Sequence, residues 1–126
     1  MSADERERNW NLKRRLEDFA LRIIRLYTSL PNRGDAQVLG RQILKSGTSP
    51  GAHYRESQWA KSDADLINKI EGGLQELEET RYWLSLLLRS GIMNERCFAP
   101  LDQEASELIA IFVTIVRKVK GRRKRK

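Results

Sequence analysis

The sequence predicts an all-α protein, folded as an antiparallel up-down four-helix bundle in one domain. Apolar residues recur every three or four positions in four separate stretches, which is the pattern of amphipathic helices. Short segments with turn and capping residues separate these stretches. The chain has 126 residues with only three prolines and eight glycines, so it is long enough for one hydrophobic core but short for two. Four helices with short connections are typical of an up-down bundle, which we place at residues 12–120.

The first helix is expected to follow a charged leader, residues 1–11, which we predict to be frayed unless Trp10 anchors it. Pro31 disfavours helix at Leu30, so the first helix should end there. Asp35 is then placed to cap the second helix. The apolar stripe of the first helix comprises Leu16, Phe19, Ala20, Ile23, Leu26, Tyr27 and Leu30.

The second helix contains an unusual polar stretch in which Pro50 stands between two glycines. Pro50 lacks an N–H and presses on the carbonyl of Ser46, so a continuous helix should be kinked near Gly47 and Gly51. The alternative, which the residues favour slightly, is a break at which Ser49 caps a new helix that starts with Pro50.

Polar side chains fall on one face of this helix at steps of three and four, where core residues would be expected. We interpret them as a polar seam. Arg55 with Glu76 or Glu79 of the third helix could form buried ion pairs that fix the helix register. His53 near Glu56 fits a hydrogen-bonded structural pair better than a catalytic site. The seam comprises Ser46, Ser49, His53, Arg55, Glu56, Glu76 and Glu79.

Capping residues also bound the last two helices. Ser62 and Asp63 are placed to cap the third helix, and Gly91 is placed to close it. The fourth helix should begin at Asn94 or just before Pro100. The third stripe comprises Ile67, Ile70, Leu74, Leu77, Leu84 and Leu88, and the fourth comprises Leu101, Ala105, Leu108, Phe112, Ile115 or Val116, and Val119.

Two apolar runs, residues 82–88 and 108–116, are too broad for one face of a helix in an antiparallel bundle. We predict that they form contacts between subunits, and a helix buried on all sides within the bundle is the alternative. The predicted interface residues are Tyr82, Trp83, Leu86, Ile111, Phe112 and Ile115.

Positive charge is concentrated at the end of the chain. Eight of the 24 lysines and arginines lie in the last ten residues, so the net charge of +7 belongs to this segment. We place a basic tail at residues 121–126, and we predict that the chain is mobile beyond Gly121 and that the whole segment binds the phosphates of RNA or DNA. An acidic protein surface and a solubilising tail without a partner are the alternatives. The basic residues are Arg117, Lys118, Lys120, Arg122, Arg123, Lys124, Arg125 and Lys126.

Four aromatic residues could stack on the bases of a single strand. Because none is interleaved with lysine or arginine, we interpret them as packing residues instead. They are Tyr54, Trp59, Tyr82 and Trp83.

The chain offers few groups for catalysis. His53 is the only histidine and Cys97 the only cysteine, which excludes an internal disulfide, a cysteine-rich zinc site and a ferritin-type di-metal site. No phosphate-binding glycine-rich loop or nucleophile motif occurs. We therefore expect no metal, no cofactor and no enzymatic activity, with an RNA-cleaving toxin-like enzyme as a distant alternative. The charged N-terminus and the lack of a long apolar run predict a cytoplasmic protein without a membrane span.

Several short runs are typical of one protein family. They are residues 42–49 (Gln-Ile-Leu-Lys-Ser-Gly-Thr-Ser), 51–52 (Gly-Ala), 54–56 (Tyr-Arg-Glu), 76–77 (Glu-Leu), 79–80 (Glu-Thr) and 82–84 (Tyr-Trp-Leu). On these runs the chain resembles, over about residues 16–116, the 23S ribosomal RNA intervening-sequence proteins, which are small bacterial four-helix bundles. Pro50 and His53 depart from the family pattern, in which a branched apolar residue and an asparagine are usual.

The resemblance also implies an assembly. The family is related in fold to the accessory variability proteins of diversity-generating retroelements, which are pentameric basic barrels that bind nucleic acid and a reverse transcriptase. It therefore implies a closed homopentameric ring that binds RNA or DNA, with an RNA-handling enzyme such as a reverse transcriptase as a further partner. A protein-interaction scaffold without nucleic-acid binding is the alternative function.

Overall fold

Each of the four amphipathic patterns forms one α-helix in the computed structural model, which describes the backbone of residues 1–124 and the side chains of residues 1–122. The helices are α1 (Ala3–Ser29), α2 (Gly34–Ser57), α3 (Asp63–Arg89) and α4 (Glu95–Lys124). Within the described residues there is no β-strand. The prediction of an all-α, four-helix protein is confirmed.

Successive helices run in opposite directions. Along α2 from Gly47 to Gly51, the neighbouring residue on α1 changes from Ile23 back to Leu16. The same reversal relates α2 to α3 and α3 to α4, as shown by the pairs Ser46–Thr80, Glu56–Lys69, Asp63–Arg122 and Arg81–Asp102. Each helix packs along the next one in the chain, whereas α1 and α4 touch only sparsely. The bundle is therefore well packed on three sides and loosely joined between its first and last helices.

The predicted stripes form the hydrophobic core. Phe19, Ile43, Leu84 and Phe112 are at most 1% exposed, and they come from α1, α2, α3 and α4 in turn. Phe112 was predicted to contact another subunit, and this is wrong because its ring is enclosed within the bundle. The ring fits there because Gly73 of α3 has no side chain, and a Cβ at that position would lie 2.6 Å from Phe112.

The leader is helical rather than frayed. The Ser2 side chain accepts a hydrogen bond from the backbone N–H of Glu5 at 3.1 Å, so α1 begins at the next residue after this cap. Trp10 is 62% exposed and does not anchor the segment. The contact that ties it to the bundle is the hydrogen bond from the Tyr54 hydroxyl to the Asn9 side chain.

The other helix ends lie close to those predicted. Arg33 is the N-cap of α2, and Asp35 lies in the first turn, where it accepts a hydrogen bond from the N–H of Ala36. Ser62 caps α3 by accepting from the N–H of Asp65, and Gly91 ends the helix with a φ of 80°.

The second helix is continuous through Pro50, so the predicted break before that residue is wrong. Ser49 does not cap a new helix, because its hydroxyl donates to the carbonyl of Lys45 one turn earlier. Tertiary packing overrides the local preference here: Pro50 is buried, and the glycines on either side of it lie against α1. A kink at this point stays a prediction.

The close approach of α2 to α1 at Gly47 gives a test of this packing. A Cβ at Gly47 would lie 2.7 Å from Cγ1 and 2.9 Å from Cγ2 of Ile23, a branched side chain with little freedom to move. We expect Gly47→Ala to lower the free energy of unfolding by about 1–2 kcal/mol, because the steric cost exceeds the gain in helix propensity. Urea denaturation of the purified variants measures this.

Gly51→Ala is the matched control in the same helix. A Cβ there would meet Leu16 at 3.6 Å, which is an ordinary contact. This variant should gain about 0.5–1 kcal/mol from helix propensity alone. If both variants gained stability, the helices would not approach as closely as described.

Candidate nucleic-acid interface

Three segments meet at one end of the bundle. They are the first turns of α1, the connection between α2 and α3 at residues 58–62, and the last turns of α4. Arg122 of α4 binds Asp63 at the start of α3 at 2.8 Å, and the Tyr54 hydroxyl near the end of α2 binds Asn9 of α1. We call this the basic end, because the cationic residues 117–124 of α4 lie there.

The basic segment continues α4 instead of leaving it. The helix extends to Lys124, so residues 121–124 are helical, while mobility of the chain beyond Gly121 stays a prediction. Arg123 and Lys124 lie on this helix, and their side chains are not described. Arg125 and Lys126 lie outside the described residues. A helix C-terminus favours cations because its free carbonyls carry a partial negative charge.

The described cations of this segment are exposed. Arg122 and Lys120 pair with Asp63 and Glu71 at 2.8 and 3.6 Å, and the hydrogen bond to Asp63 raises the pKa of Arg122. Among residues 1–122, no acidic side chain forms an ion pair with Arg117 or Lys118. Exposed ion pairs contribute little stability, so a phosphate group can replace the carboxylates at small cost.

Trp59 lies at the same end and is 86% exposed, which contradicts its interpretation as a packing residue. It lies two residues beyond the last residue of α2, Ser57, and therefore does not belong to the buried stripe of that helix. Tyr82 is also exposed, at 58%. Tyr54 and the half-buried Trp83 do pack, the former against Phe112 with ring centroids 6.1 Å apart.

A cleft of about 770 Å³, which the sequence analysis did not predict, separates α1 from α4 next to the basic end. Its walls include the apolar side chains of Leu12, Ile70, Ile111 and Ile115, and its rim carries four cations: Arg8, Arg15, Lys118 and Arg122. The cleft forms because α1 and α4 hardly pack there. Farther along, Arg15 bridges the two helices by binding Glu104 at 2.7 Å and Glu107 at 3.0 Å.

The structure separates the residues predicted to form the oligomer interface. Tyr82, Trp83 and Leu86 lie on α3, level with the start of α4, because the adjacent Arg81 binds Asp102. Ile111 and Ile115 instead line the cleft. With Phe112 in the core, the six residues do not form one surface of a single copy.

Only some residues of the predicted polar seam are buried between helices. Ser46 and Thr80 are buried and share a hydrogen bond of 2.9 Å between α2 and α3, whereas Gln42 and Glu56 are exposed. Ser49 is half-buried and bonds only within α2. The signal for Thr80 was its position within an otherwise apolar stripe.

Two predicted pairs of the seam are wrong. Arg55 binds Glu17 of α1 at 3.1 Å in an exposed ion pair. Its position on α2 directs the side chain away from Glu76 and Glu79 of α3. Glu56 binds Lys69 at 3.5 Å and not His53. His53 packs over Gly72, and within the described part of the chain its buried Nδ1 has no hydrogen-bond partner.

Residues 1–122 contain no cluster of three or more potential metal-ligating side chains. None of the described helices combines the length and hydropathy needed to cross a membrane.

Comparison with known proteins gives a consistent result. Residues 8–114 match the family model described as "23S rRNA-intervening sequence protein". The chain is similar to a crystal structure from Bacteroides thetaiotaomicron, described as a protein with unknown function from the S23 ribosomal protein family. The two share 38% sequence identity over 83% of this chain and 97% of that chain, with a TM-score of 0.79. No curated protein matches the chain.

The pKa of Glu76 in the seam gives a test of its surroundings. Burial, and next the charge of Glu79, raise this pKa above its usual value of 4.5, while His53 and Lys45 oppose the shift. The folded protein therefore disfavours the ionised carboxylate. Glu76 lowers the free energy of unfolding at pH values above its raised pKa, and this effect is absent below pH 4.5. We expect Glu76→Gln to stabilise the protein at pH 7, with a gain that fades as the pH falls through the raised pKa.

Urea denaturation at pH 7 and pH 4 measures this effect, with the exposed Glu78→Gln as the control. A carboxyl NMR titration should also show that Glu79→Gln lowers the pKa of Glu76. An unchanged pKa would mean that the two carboxylates do not face each other.

Proposed function

Because this chain belongs to the 23S rRNA-intervening sequence protein family, we propose that it is a non-catalytic nucleic-acid-binding accessory protein that holds RNA through its basic end. The observation that supports this most is the concentration of eight cations in residues 117–126, of which residues 117–124 form the last turns of α4 at one end of the bundle. The first 116 residues contain 16 basic and 17 acidic residues, so attraction for a polyanion comes from this end.

The mechanism we propose is electrostatic. Lysine and arginine side chains that contact phosphates release the counterions condensed on the nucleic acid, and this gain does not depend on sequence. The body of the bundle positions the cations, and any sequence preference would come from the shape of a structured RNA or from a partner such as a reverse transcriptase. In this proposal the protein acts in the cytoplasm.

A closed homo-oligomer, which we propose to be a pentamer, would strengthen this binding. Four of the exposed large apolar side chains lie in the half of the bundle away from the basic end, where another copy could cover them. They are Leu21, Ile24, Val38 and Tyr82. A ring would bring several basic ends to one polyanion and raise their effective concentration. A protein-interaction scaffold is the second candidate, which the apolar cleft beside α1 favours.

Neutralising the end of the basic segment tests the electrostatic mechanism. The variant carries Arg123→Gln, Lys124→Gln, Arg125→Gln and Lys126→Gln. Its affinity for a 20-nucleotide single-stranded RNA should fall at physiological salt, and the slope of log K against log salt should decrease by up to about 3, because each lost phosphate contact removes roughly 0.7. Fluorescence anisotropy at several salt concentrations measures both.

The matched control removes four exposed arginines from the opposite end of the bundle. It carries glutamine in place of Arg25, Arg41, Arg89 and Arg96, and so has the same net charge as the first variant. If both variants lost affinity equally, net charge and not the basic end would be responsible. If neither lost affinity, the proposed mechanism would be wrong.

The proposed ring predicts a mass. Light scattering should give about 74 kDa for a pentamer of the 14.7 kDa chain. Tyr82→Glu should lower this mass, because a carboxylate in an apolar contact between copies loses its hydration. Circular dichroism should show unchanged helix content in this variant, since the side chain is exposed. A mass near 14.7 kDa for the unaltered protein would contradict the ring.

A further inference from the structure

The indole ring of Trp59 has no role in the packing of the bundle. At 86%, its exposure is the highest among the large apolar side chains of the described residues. Tryptophan has a large apolar surface, so covering this ring with another flat group would be favourable. The connection between α2 and α3 therefore presents an aromatic surface without a structural purpose in one copy.

The backbone that carries this ring is well fixed. The N–H of Trp59 donates to the carbonyl of Glu56 at 3.0 Å, and the N–H of Ala60 donates to the carbonyl of Ser57 at 3.2 Å. The Ser57 hydroxyl is buried and donates to the carbonyl of Tyr54 at 2.6 Å. Two residues after this turn, Ser62 caps α3. An ordered connection of this kind fixes the backbone that carries the ring, so little backbone entropy is lost when a ligand covers it.

The connection that carries this ring lies next to the last turns of α4, although the two are distant in sequence. The ion pair of Arg122 with Asp63 brings the last turns of α4 to within four residues of Trp59 along the chain. Lys61, in the same connection, is exposed, and no ion pair involves it within residues 1–122. The fold therefore places basic residues of α4 near the connection that carries Trp59. The linear sequence does not show this combination of aromatic and basic residues.

We propose that Trp59 stacks on an unpaired base while the basic end contacts the neighbouring phosphates, so that the protein prefers single-stranded to double-stranded nucleic acid. This rests on the proposed function, because the phosphate contacts supply the common part of the affinity. A duplex offers the same phosphates, but its bases are already stacked on each other. A single strand offers the flat face of every base, and sequence matters little for such stacking.

The test compares a 20-nucleotide single strand with a 20-base-pair duplex of the same sequence, each as RNA and as DNA. Trp59→Ala should weaken binding of the single strand by about 5- to 150-fold, the range that one stacked base contributes. Binding of the duplex should change by less than about twofold. Trp59→Phe should restore most of the single-strand affinity. The fluorescence of Trp59 should be quenched by the single strand, and this part of the quenching should be missing in Trp59→Ala.

Trp10→Ala is the matched control. Trp10 is 62% exposed and is not among the α1 residues that line the cleft facing α4, so its loss should leave both affinities within about twofold. Light scattering and circular dichroism should show that each variant keeps the mass and helix content of the unaltered protein.

The outcomes separate this inference from the proposed function. If Trp59→Ala left single-strand binding unchanged, or weakened both probes equally, stacking by Trp59 would be wrong while phosphate binding could stand. If the unaltered protein bound neither probe at physiological salt, the proposed function would fail and this inference with it.

Discussion

The bundle depends on the close approach of α2 and α3 to their neighbours at glycine residues. Gly47 lets α2 lie against Ile23, Gly72 accommodates the ring of His53, and Gly73 accommodates the ring of Phe112. Gly72 and Gly73 are adjacent on α3, so this part of the helix has no side chain towards either α2 or α4. Helix glycines cost about 1 kcal/mol each relative to alanine, and the contacts they permit between large side chains and backbone compensate for this cost. The two middle helices thereby form the most extensively packed pair of the structure.

This arrangement explains why the outer helices are joined so differently. No comparable glycine lies between α1 and α4, and these helices touch only sparsely. Arg15 connects them through Glu104 and Glu107, and these hydrogen bonds raise the pKa of Arg15. The side chains of these ion pairs are long and partly exposed, so they keep α1 and α4 farther apart than direct apolar packing would. The cleft beside the basic end follows from that distance, and so does the freedom of the last turns of α4 to lie against α3 alone.

The helices could be predicted because each stripe of apolar residues is a local pattern, and the same holds for the caps at Ser62 and Gly91. The predictions that were wrong concern residues whose conformation or contacts depend on neighbours that are distant in the chain. Pro50 disfavours a helix locally, yet burial against α1 keeps α2 continuous. Arg55 was assigned partners on α3, but the rotation of α2 places it beside Glu17. Trp59 was interpreted as a packing residue because it is not interleaved with lysine or arginine in the sequence, and its exposed position beyond the end of α2 depends on where that helix ends.

The helical conformation of the basic segment changes how charge acts there. In a mobile tail the cations separate freely, whereas a helix holds Lys118 and Arg122 four residues apart on one face, where like charges destabilise it. The dipole of α4 and the pairing of Arg122 with Asp63 offset part of this repulsion. A phosphate bound between such cations would remove the remainder. Helix formation in the last turns of α4 and binding of a polyanion should therefore favour each other. The cations whose repulsion destabilises the helix are the same cations that would contact the phosphates.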